Sequence, residues 1–180
     1  MAVTITYFVH GTTFDNLEHK STGWLPGELS PKGVEQSLAL KEQVDTSKFD
    51  VVFCSDLKRA VDSAKLTFDT QCDIIQDSRL RECNYGEFNG EDSKLVSYDS
   101  HIAVAFPNGE SLFDVEKRIQ DFCRFLLENY DGKHVAIVAH KAPQLALDVI
   151  TGHISWLDAI NKDWRKTKAW QPGWEYIISK

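Results

Sequence analysis

Apolar segments alternate with amphipathic segments along the chain, and this alternation predicts strands separated by helices. The strand-like segments are short runs rich in β-branched, aromatic and aliphatic residues, bounded by polar or glycine positions. They are Thr4–Val9, Val51–Cys54, Asp73–Gln76, Val135–Ala139 and Trp174–Ser179. Val135–Ala139 contains no polar residue, which is typical of a central strand covered on both faces.

The segments between these strands carry apolar residues at three- and four-residue steps, which predicts helices. Two predicted helices begin at Ser30-Pro31 and directly after Val51–Cys54. Three more cover Leu112–Leu126, Ala142–Ile150 and Ser155–Arg165. Strands joined by helices favour the α/β class, here a three-layer αβα sandwich with a mainly parallel central sheet. The chain shows no repeat and no linker, so we expect residues 1–180 to form a single domain.

The composition is that of an ordinary globular chain and argues against several classes of protein. The 180 residues are 42% hydrophobic and carry 27 acidic against 20 basic side chains, a net charge of −7. This balance argues against a nucleic-acid partner bound through phosphate contacts. No apolar run approaches the length of a membrane span, and the N-terminus resembles a strand rather than a signal peptide. The four cysteines form no CxxC pair, so we expect a reduced, cytoplasmic protein with no membrane partner.

Chemically active residues follow the ends of the predicted strands. His10 follows the first strand, Arg59 lies one turn into the helix after the second, and Glu82 follows the third. His140 comes directly after Val135–Ala139. Ligands of α/β proteins bind outside the carboxyl ends of the strands, which share one edge of the sheet. The sequence therefore predicts a site where two imidazoles, a guanidinium and a carboxyl group converge.

This set of groups suits phosphoryl transfer. An imidazole can attack phosphorus and form a phosphohistidine, which divides one displacement into two. Arg59 and the second imidazole can stabilise the charge that develops on the phosphoryl oxygens. Glu82 can donate a proton to the leaving alkoxide. The chain has no HExxH-type spacing, so a metal hydrolase is the least favoured alternative.

Six segments, in matching order, resemble motifs of the histidine phosphatase, or phosphoglycerate mutase-like, superfamily. His10–Asn16 is similar to Arg-His-Gly-x-Thr-x-x-Asn, and Cys54–Ala60 to Ser-Ser-x-x-x-Arg-Ala. The other similar segments are Gly23–Gln36, Leu80–Gly90, Phe106–Ser111 and Ala139-His140. The resemblance implies the phosphoglycerate mutase-like fold, catalysis without a metal or other cofactor, and a set of site residues. Its catalytic members would be His10 as nucleophile, Glu82 as proton donor, and Arg59 and His140 as phosphoryl ligands. The phosphate-binding members would be Gly11, Asn16, Thr22 and Gly23.

Two positions depart from the motifs of this superfamily. The arginine that precedes the nucleophile is Val9 here, and the glycine after the second histidine is Lys141. We expect Lys141 to join the phosphate-binding residues and supply the missing charge, with Arg165 as a second candidate. A site that has lost this charge, and binds phosphate with impaired turnover, is the alternative.

The resemblance favours a phosphatase for small-molecule phosphate monoesters, acting through a phosphohistidine intermediate. Mutases of the family usually run longer after the acid loop, whereas Asn108 follows Gly90 closely here, and an open site admits water. Phosphoglycerate mutase-type transfer is the near alternative. The expected partner is a small phosphorylated metabolite, and monomer and homodimer both stay open. A cluster of tryptophans near the C-terminus is expected to pack the sheet edge, or alternatively to line the substrate site: Trp156, Trp164, Trp170 and Trp174.

Overall fold

A five-stranded sheet forms the centre of the molecule, with a separate two-stranded ladder beside it. The structure is a computed structural model that describes residues 2–68 and 73–179. Its strands are β1 (Ala2–Val9), β2 (Lys20–Ser21), β3 (Val51–Cys54), β4 (Ile74–Gln76), β5 (Glu91–Asp92), β6 (His134–Ala139) and β7 (Trp174–Ser179). The central sheet has the order β4-β3-β6-β1-β7, with β7 antiparallel to β1 and the other neighbours parallel. The prediction of a mainly parallel α/β sheet is confirmed.

Helices cover both faces of this sheet. They are α1 (Phe14–Leu17), α2 (Pro31–Gln43), α3 (Lys58–Phe68), α4 (Leu112–Asn129), α5 (Lys141–Gly152), α6 (Trp156–Lys162) and α7 (Trp164–Thr167). Successive residues of a strand point to opposite faces, and β3 shows the consequence. Phe53 joins the apolar cluster under α4 and α5, whereas Val52 joins the cluster under α3. Within the described ranges, no helix is both long and apolar enough to cross a membrane.

Helix boundaries follow the capping signals of the sequence, with one correction. Ser30 caps α2 and Pro31 occupies its first turn, as predicted. Ser155–Arg165, predicted as one helix, is instead divided into α6 and α7 at Asp163, whose ψ of 118° is not helical. The Asp163 carboxylate accepts a hydrogen bond from the Arg165 amide, so it caps a new helix rather than continuing the old one.

Smaller elements depart from the sequence expectations as well. Strand β4, predicted over Asp73–Gln76, begins one residue later, at Ile74. The short helix α1 and the β2–β5 ladder were not predicted, because elements of two to four residues carry no periodicity. Cys54, Cys83 and Cys123 are free and buried, as expected for small apolar side chains. Cys72 lies outside the described residues.

The pairing of β1 with β6 places two histidines side by side. The register aligns Val9 with Ala139, so the residues that follow each strand emerge at the same edge. The amide of His10 continues the ladder by donating to the carbonyl of Ala139 at 3.1 Å. His10 and His140 are therefore neighbours because of the strand register, although they are 130 residues apart in the sequence.

The chain after His10 lies against the start of α2 through two glycines. A Cβ atom added at Gly11 would stand 2.4 Å from the carbonyl oxygen of Gly33, and one added at Gly33 would stand 2.1 Å from that of Thr12. Both distances are far inside van der Waals contact, so any side chain here would push the loop from the helix. The Ser30 amide also donates to the Thr12 carbonyl at 2.9 Å. This close contact fixes the backbone that carries His10.

Candidate active site

A cleft of about 460 Å³ opens where β1 and β6 end. Eight of the nine site residues predicted from the sequence line it: His10, Asn16, Thr22, Gly23, Arg59, Glu82, His140 and Lys141. Gly11, the ninth, does not line this cleft. Its part in the site is its carbonyl group, which contacts the ring of His10. The wall also includes Trp164 and Arg165 from α7.

The ring of His10 is held in one orientation and one tautomer. Its Nδ1 lies 2.7 Å from the carbonyl oxygen of Gly11. A carbonyl only accepts hydrogen bonds, so Nδ1 carries the proton and Nε2 keeps its lone pair. Burial, with a further contribution from the charge of Arg59, lowers the pKa of His10 to about 3. The imidazole is therefore neutral at physiological pH and has a nucleophilic Nε2.

His140 lies beside it, buried and without hydrogen-bond partners for its ring. The two ring centroids are 5.1 Å apart, and His140 is 1% exposed. Within the described residues neither ring nitrogen has a partner, an arrangement that costs about 1–3 kcal/mol per buried polar group. Burial and the nearby Arg59 charge hold the pKa of His140 well below its ordinary value. A neutral ring with unused nitrogens is ready to donate to an oxygen of a ligand.

Tyr7 fixes the backbone of His140 from the buried side of the sheet. The Tyr7 hydroxyl donates to the His140 carbonyl at 2.6 Å and accepts from the His140 amide at 2.9 Å. The ring of His140 is thereby placed by two hydrogen bonds that leave its own nitrogens unused. Sequence reasoning did not single out Tyr7, because it is an ordinary apolar position of β1 by pattern.

Arg59 supplies a buried positive charge to the cleft. It is 2% exposed, and its guanidinium donates to the carbonyls of Gly23 and Leu25, each at 2.8 Å. It forms no ion pair within the described residues. The carboxylates near it in sequence pair elsewhere, Asp56 with Arg81 and Asp62 with Lys58. A buried cation that is hydrogen-bonded only to carbonyl groups has charge available for an anionic ligand.

Glu82 lies at the N-terminus of α5, next to His140. Its Oε1 accepts hydrogen bonds from the amides of Cys83 and Ala142, each at 2.9 Å, and its Oε2 accepts from the amide of Lys141 at 3.2 Å. The first amides of a helix have no partner inside the helix, and the helix dipole favours a carboxylate there. These contacts fix the carboxyl group of a residue that is 7% exposed.

Asn16, Thr22 and Gly23 form a further part of the cleft wall. The Asn16 side chain closes a capping box at α1 by accepting from the Thr13 amide at 3.0 Å. The Thr22 hydroxyl donates to a carboxylate of α1 at 2.8 Å, and the Gly23 carbonyl holds Arg59. All three have structural partners in addition to their places on the cleft.

Lys141 and Arg165 share one buried carboxylate, that of Asp163. The Lys141 Nζ lies 3.4 Å from Asp163 Oδ2, and the Arg165 Nη1 lies 3.0 Å from Asp163 Oδ1. The Asp163 side chain is 1% exposed and the two cations keep its pKa below the ordinary value against the opposing effect of burial. Sequence reasoning missed Asp163, although an aspartate between two helical segments is a signal for a new helix N-cap.

The tryptophans divide between the core and the cleft. Trp156 is buried and donates to a glutamate of α4, whereas Trp164 lines the cleft and stacks on Trp174 at a centroid distance of 4.8 Å. Trp170 is half exposed and lines a neighbouring cavity of about 330 Å³ that adjoins His10. Both expectations for this cluster therefore hold in part. Among the described residues, no group of three His, Cys, Asp or Glu side chains is placed to hold a metal ion.

The comparison with known proteins identifies the family. A sequence profile of the histidine phosphatase superfamily (branch 1) matches residues 7–155. The chain belongs to the histidine phosphatase superfamily. The six similar segments and the order of elements are thus those of a histidine phosphatase, and the expected resemblance is confirmed.

Relatives of this member of the histidine phosphatase superfamily include mutases and phosphatases. The 2,3-bisphosphoglycerate-dependent phosphoglycerate mutase of Cytophaga hutchinsonii is 30% identical over 146 residues, which cover 73% of this chain and 68% of the relative. Phosphoserine phosphatase 1 of Hydrogenobacter thermophilus is 26% identical over 137 residues, covering 69% and 64%. A mycobacterial glucosyl-3-phosphoglycerate phosphatase has a similar structure, with a TM-score of 0.75, 26% identity, and coverage of 88% and 84%. Membership of the family therefore allows either hydrolysis or phosphoryl transfer.

Because folded His10 is neutral, we expect the free energy of unfolding to decrease as the pH falls. An unfolded histidine has a pKa of about 6.5, whereas the pKa of folded His10 is about 3, so the unfolded chain alone binds this proton between those values. Stability present above pH 6.5 should therefore be lost as the pH falls, at a rate approaching about 1.4 kcal/mol per pH unit for each such histidine. Urea unfolding between neutral pH and about pH 5 measures this slope. His10→Gln should reduce it, and equal slopes in the two proteins would contradict the assignment.

Proposed function

We propose that this histidine phosphatase hydrolyses phosphate monoesters of small molecules through a phosphohistidine on His10. The observation that carries the proposal is the state of the His10 ring. It is neutral, its Nδ1 is bound to the Gly11 carbonyl, and its Nε2 is unprotonated in a cleft that also contains His140 and Arg59. A fixed, deprotonated nitrogen beside donors for an anion is what nucleophilic attack on phosphorus requires.

In the first step Nε2 of His10 attacks the phosphorus atom, and the P–N bond forms as the bond from phosphorus to the ester oxygen breaks. The bonding pair leaves with that oxygen. Glu82 takes up a proton as the dianionic ester binds beside it, and it donates that proton to the alkoxide. The charge that accumulates on the remaining phosphoryl oxygens is stabilised by Arg59 and by the N–H of His140. The alcohol then departs.

In the second step water attacks the phosphohistidine. Glu82, now a carboxylate, accepts a proton from the water as the new P–O bond forms and the P–N bond breaks. Nε2 recovers its lone pair, phosphate leaves, and Glu82 is again protonated. Both steps therefore use the same carboxyl group, which the amides at the start of α5 keep in place.

Hydrolysis is favoured over transfer to a second substrate by the openness of the cleft. Its outer rim consists of His19, Lys20 and Ser93, which are exposed to solvent. Water can therefore reach a phosphohistidine at His10, whereas a mutase must keep water out until the phosphoryl group is returned to a second hydroxyl. The phosphoserine and glucosyl-3-phosphoglycerate phosphatases among its relatives support the same choice, with a small phosphorylated metabolite as substrate.

Within the proposed mechanism, the first prediction concerns His10 and metal independence. His10→Ala should reduce turnover of a chromogenic aryl phosphate by at least about 1,000-fold, because the variant has no nucleophile. EDTA should leave the native rate unchanged. His153→Asn is the control, because His153 is an exposed histidine with a φ of 50° at the end of α5 and asparagine tolerates that conformation.

Residual activity near the native level in His10→Ala, or loss of activity in EDTA, would refute the mechanism. Transfer of the phosphoryl group to added 3-phosphoglycerate in preference to water would favour the mutase alternative. Phosphate binding without any turnover would instead favour the alternative in which Val9, in place of an arginine, leaves a site that binds phosphate but is catalytically impaired.

The second prediction concerns Glu82 and the leaving group. Glu82→Gln keeps the size of the side chain and one of its two acceptor oxygens but has no carboxyl proton to supply. Turnover of an alkyl phosphate should fall by about 100- to 10,000-fold, whereas an aryl phosphate, whose phenolate leaves readily, should lose far less. The measurement is the ratio of kcat/KM for the two esters in each protein. An unchanged ratio would show that Glu82 is not the proton donor.

A further inference from the structure

The cleft carries little fixed positive charge next to the two histidines. Both imidazoles are neutral, and the residue that precedes His10 is the aliphatic Val9. A phosphate monoester is a dianion near neutral pH, since its second pKa is about 6. Arg59 alone balances half of that charge. A second cation is therefore needed for tight binding of the phosphoryl group.

Three other cationic side chains among the described residues line the cleft: Lys20, Lys141 and Arg165. Lys20 lies at the exposed rim, where its ammonium bonds to Glu18 at 2.6 Å. The Lys141 ammonium lies over the ring of Tyr98, 4.4 Å from its centroid, and close to Asp163. Both ammonium groups thus have other partners.

Arg165 differs from both lysines, because its charge reaches the two histidines. Burial and Arg59 lower the pKa of His10 and of His140, and the charge of Arg165 lowers both further. Its guanidinium lies 4.4 Å from the ring centroid of Trp164, which also lines the cleft. Of the three candidates, Arg165 is therefore the one placed to act beside the nucleophile.

Three contacts hold the guanidinium of Arg165 in a defined plane. Its Nη1 donates to Asp163 at 3.0 Å, its Nη2 donates to Gln144 Oε1 at 3.0 Å, and its face stacks on Trp164. These bonds use one N–H of each terminal nitrogen, and its remaining N–H groups have no protein acceptor within residues 2–68 and 73–179. A planar donor held in this way can bind two phosphoryl oxygens at small entropic cost.

The geometry points to Arg165 as the second phosphoryl ligand of this site, with Asp163 as its positioning residue and Lys141 as the counter-charge. This inference deepens the proposed function and rests on it. Asp163 carries one negative charge against the two positive charges of Lys141 and Arg165, so the trio is left with one net positive charge. Together with Arg59, these side chains offer two positive charges to a dianion. Lys141 shares the charge of Asp163, so Asp163 can hold the Arg165 guanidinium in place without cancelling its positive charge.

The test is the binding of inorganic phosphate, measured by isothermal titration calorimetry at one salt concentration. Arg165→Ala should weaken phosphate binding by about 10- to 100-fold, the range for a lost hydrogen bond to a charged group. The phosphate affinity of Arg165→Lys should lie between those of the native protein and Arg165→Ala, because lysine keeps the charge but lacks the planar guanidinium. Arg124→Ala is the control with the same change in net charge, since Arg124 is exposed on α4 and its one ion pair within the described ranges is with Asp121.

A second readout separates a ligand of phosphate from a residue that only supports the fold. Added guanidinium chloride, well below denaturing concentration, should restore phosphate affinity and aryl phosphate turnover to Arg165→Ala, whereas ethylammonium should not. A structural role for Arg165 would not produce this selectivity. Thermal unfolding of each variant confirms that the comparison is between folded proteins, and Arg165→Lys provides the result if the alanine variant does not fold.

Each outcome decides the inference. If phosphate affinity is unchanged in Arg165→Ala while Lys141→Ala loses 10-fold or more, Lys141 is the ligand and the assignment is overturned, although the proposed phosphatase stands. If both variants bind phosphate as tightly as the native protein does, Arg59 and the histidines suffice for binding. The assignment of Arg165 is then wrong, although the proposed phosphatase again stands. If the native protein neither binds phosphate nor hydrolyses aryl phosphate, the proposed function fails together with this inference.

Discussion

The arrangement of this site depends on two uncharged imidazoles at the ends of adjacent parallel strands. Because β1 and β6 pair in register, His10 and His140 must emerge together, with His140 buried and His10 half-buried. Removing water lowers the pKa of both rings, which keeps His10, the proposed nucleophile, deprotonated. The same burial leaves the nitrogens of His140 without partners, at a cost in stability that a bound phosphoryl group can offset.

The surrounding elements hold both imidazoles without occupying the nitrogen atoms that the proposed mechanism uses. Backbone groups do most of this work: the Gly11 carbonyl binds the far nitrogen of His10, carbonyls of the 23–25 loop bind Arg59, and amides of α5 bind Glu82. Tyr7 holds the backbone of His140 in the same manner. Backbone partners are fixed by the fold and carry no net charge. The site is therefore rigid while its own charges stay available for a phosphoryl group.

Much of this organisation could be predicted from local patterns. Short apolar runs marked the strands, Ser30-Pro31 marked α2, and chemically active residues after successive strands indicated a shared edge. The rest depends on contacts between distant segments. The break at Asp163 is hidden by apolar residues that continue the helical spacing through it, and its link to Lys141 exists only once α5 and α7 lie together. The amide bonds of Glu82 to α5 are equally invisible in the sequence, since nothing local shows which carboxylate of its loop reaches the helix.

The central claim is that His10 carries the phosphoryl group during turnover, and the most direct measurement is to trap it. The protein is mixed with an aryl phosphate and quenched rapidly in alkali, where the P–N bond of phosphohistidine survives. The site is then located by peptide mass spectrometry and by ³¹P–¹H NMR. This account predicts one phosphoryl group per chain, on Nε2 of His10, because Nδ1 is bound to the Gly11 carbonyl. A phosphoryl group on another residue, or an actively hydrolysing protein that yields no adduct, would contradict it.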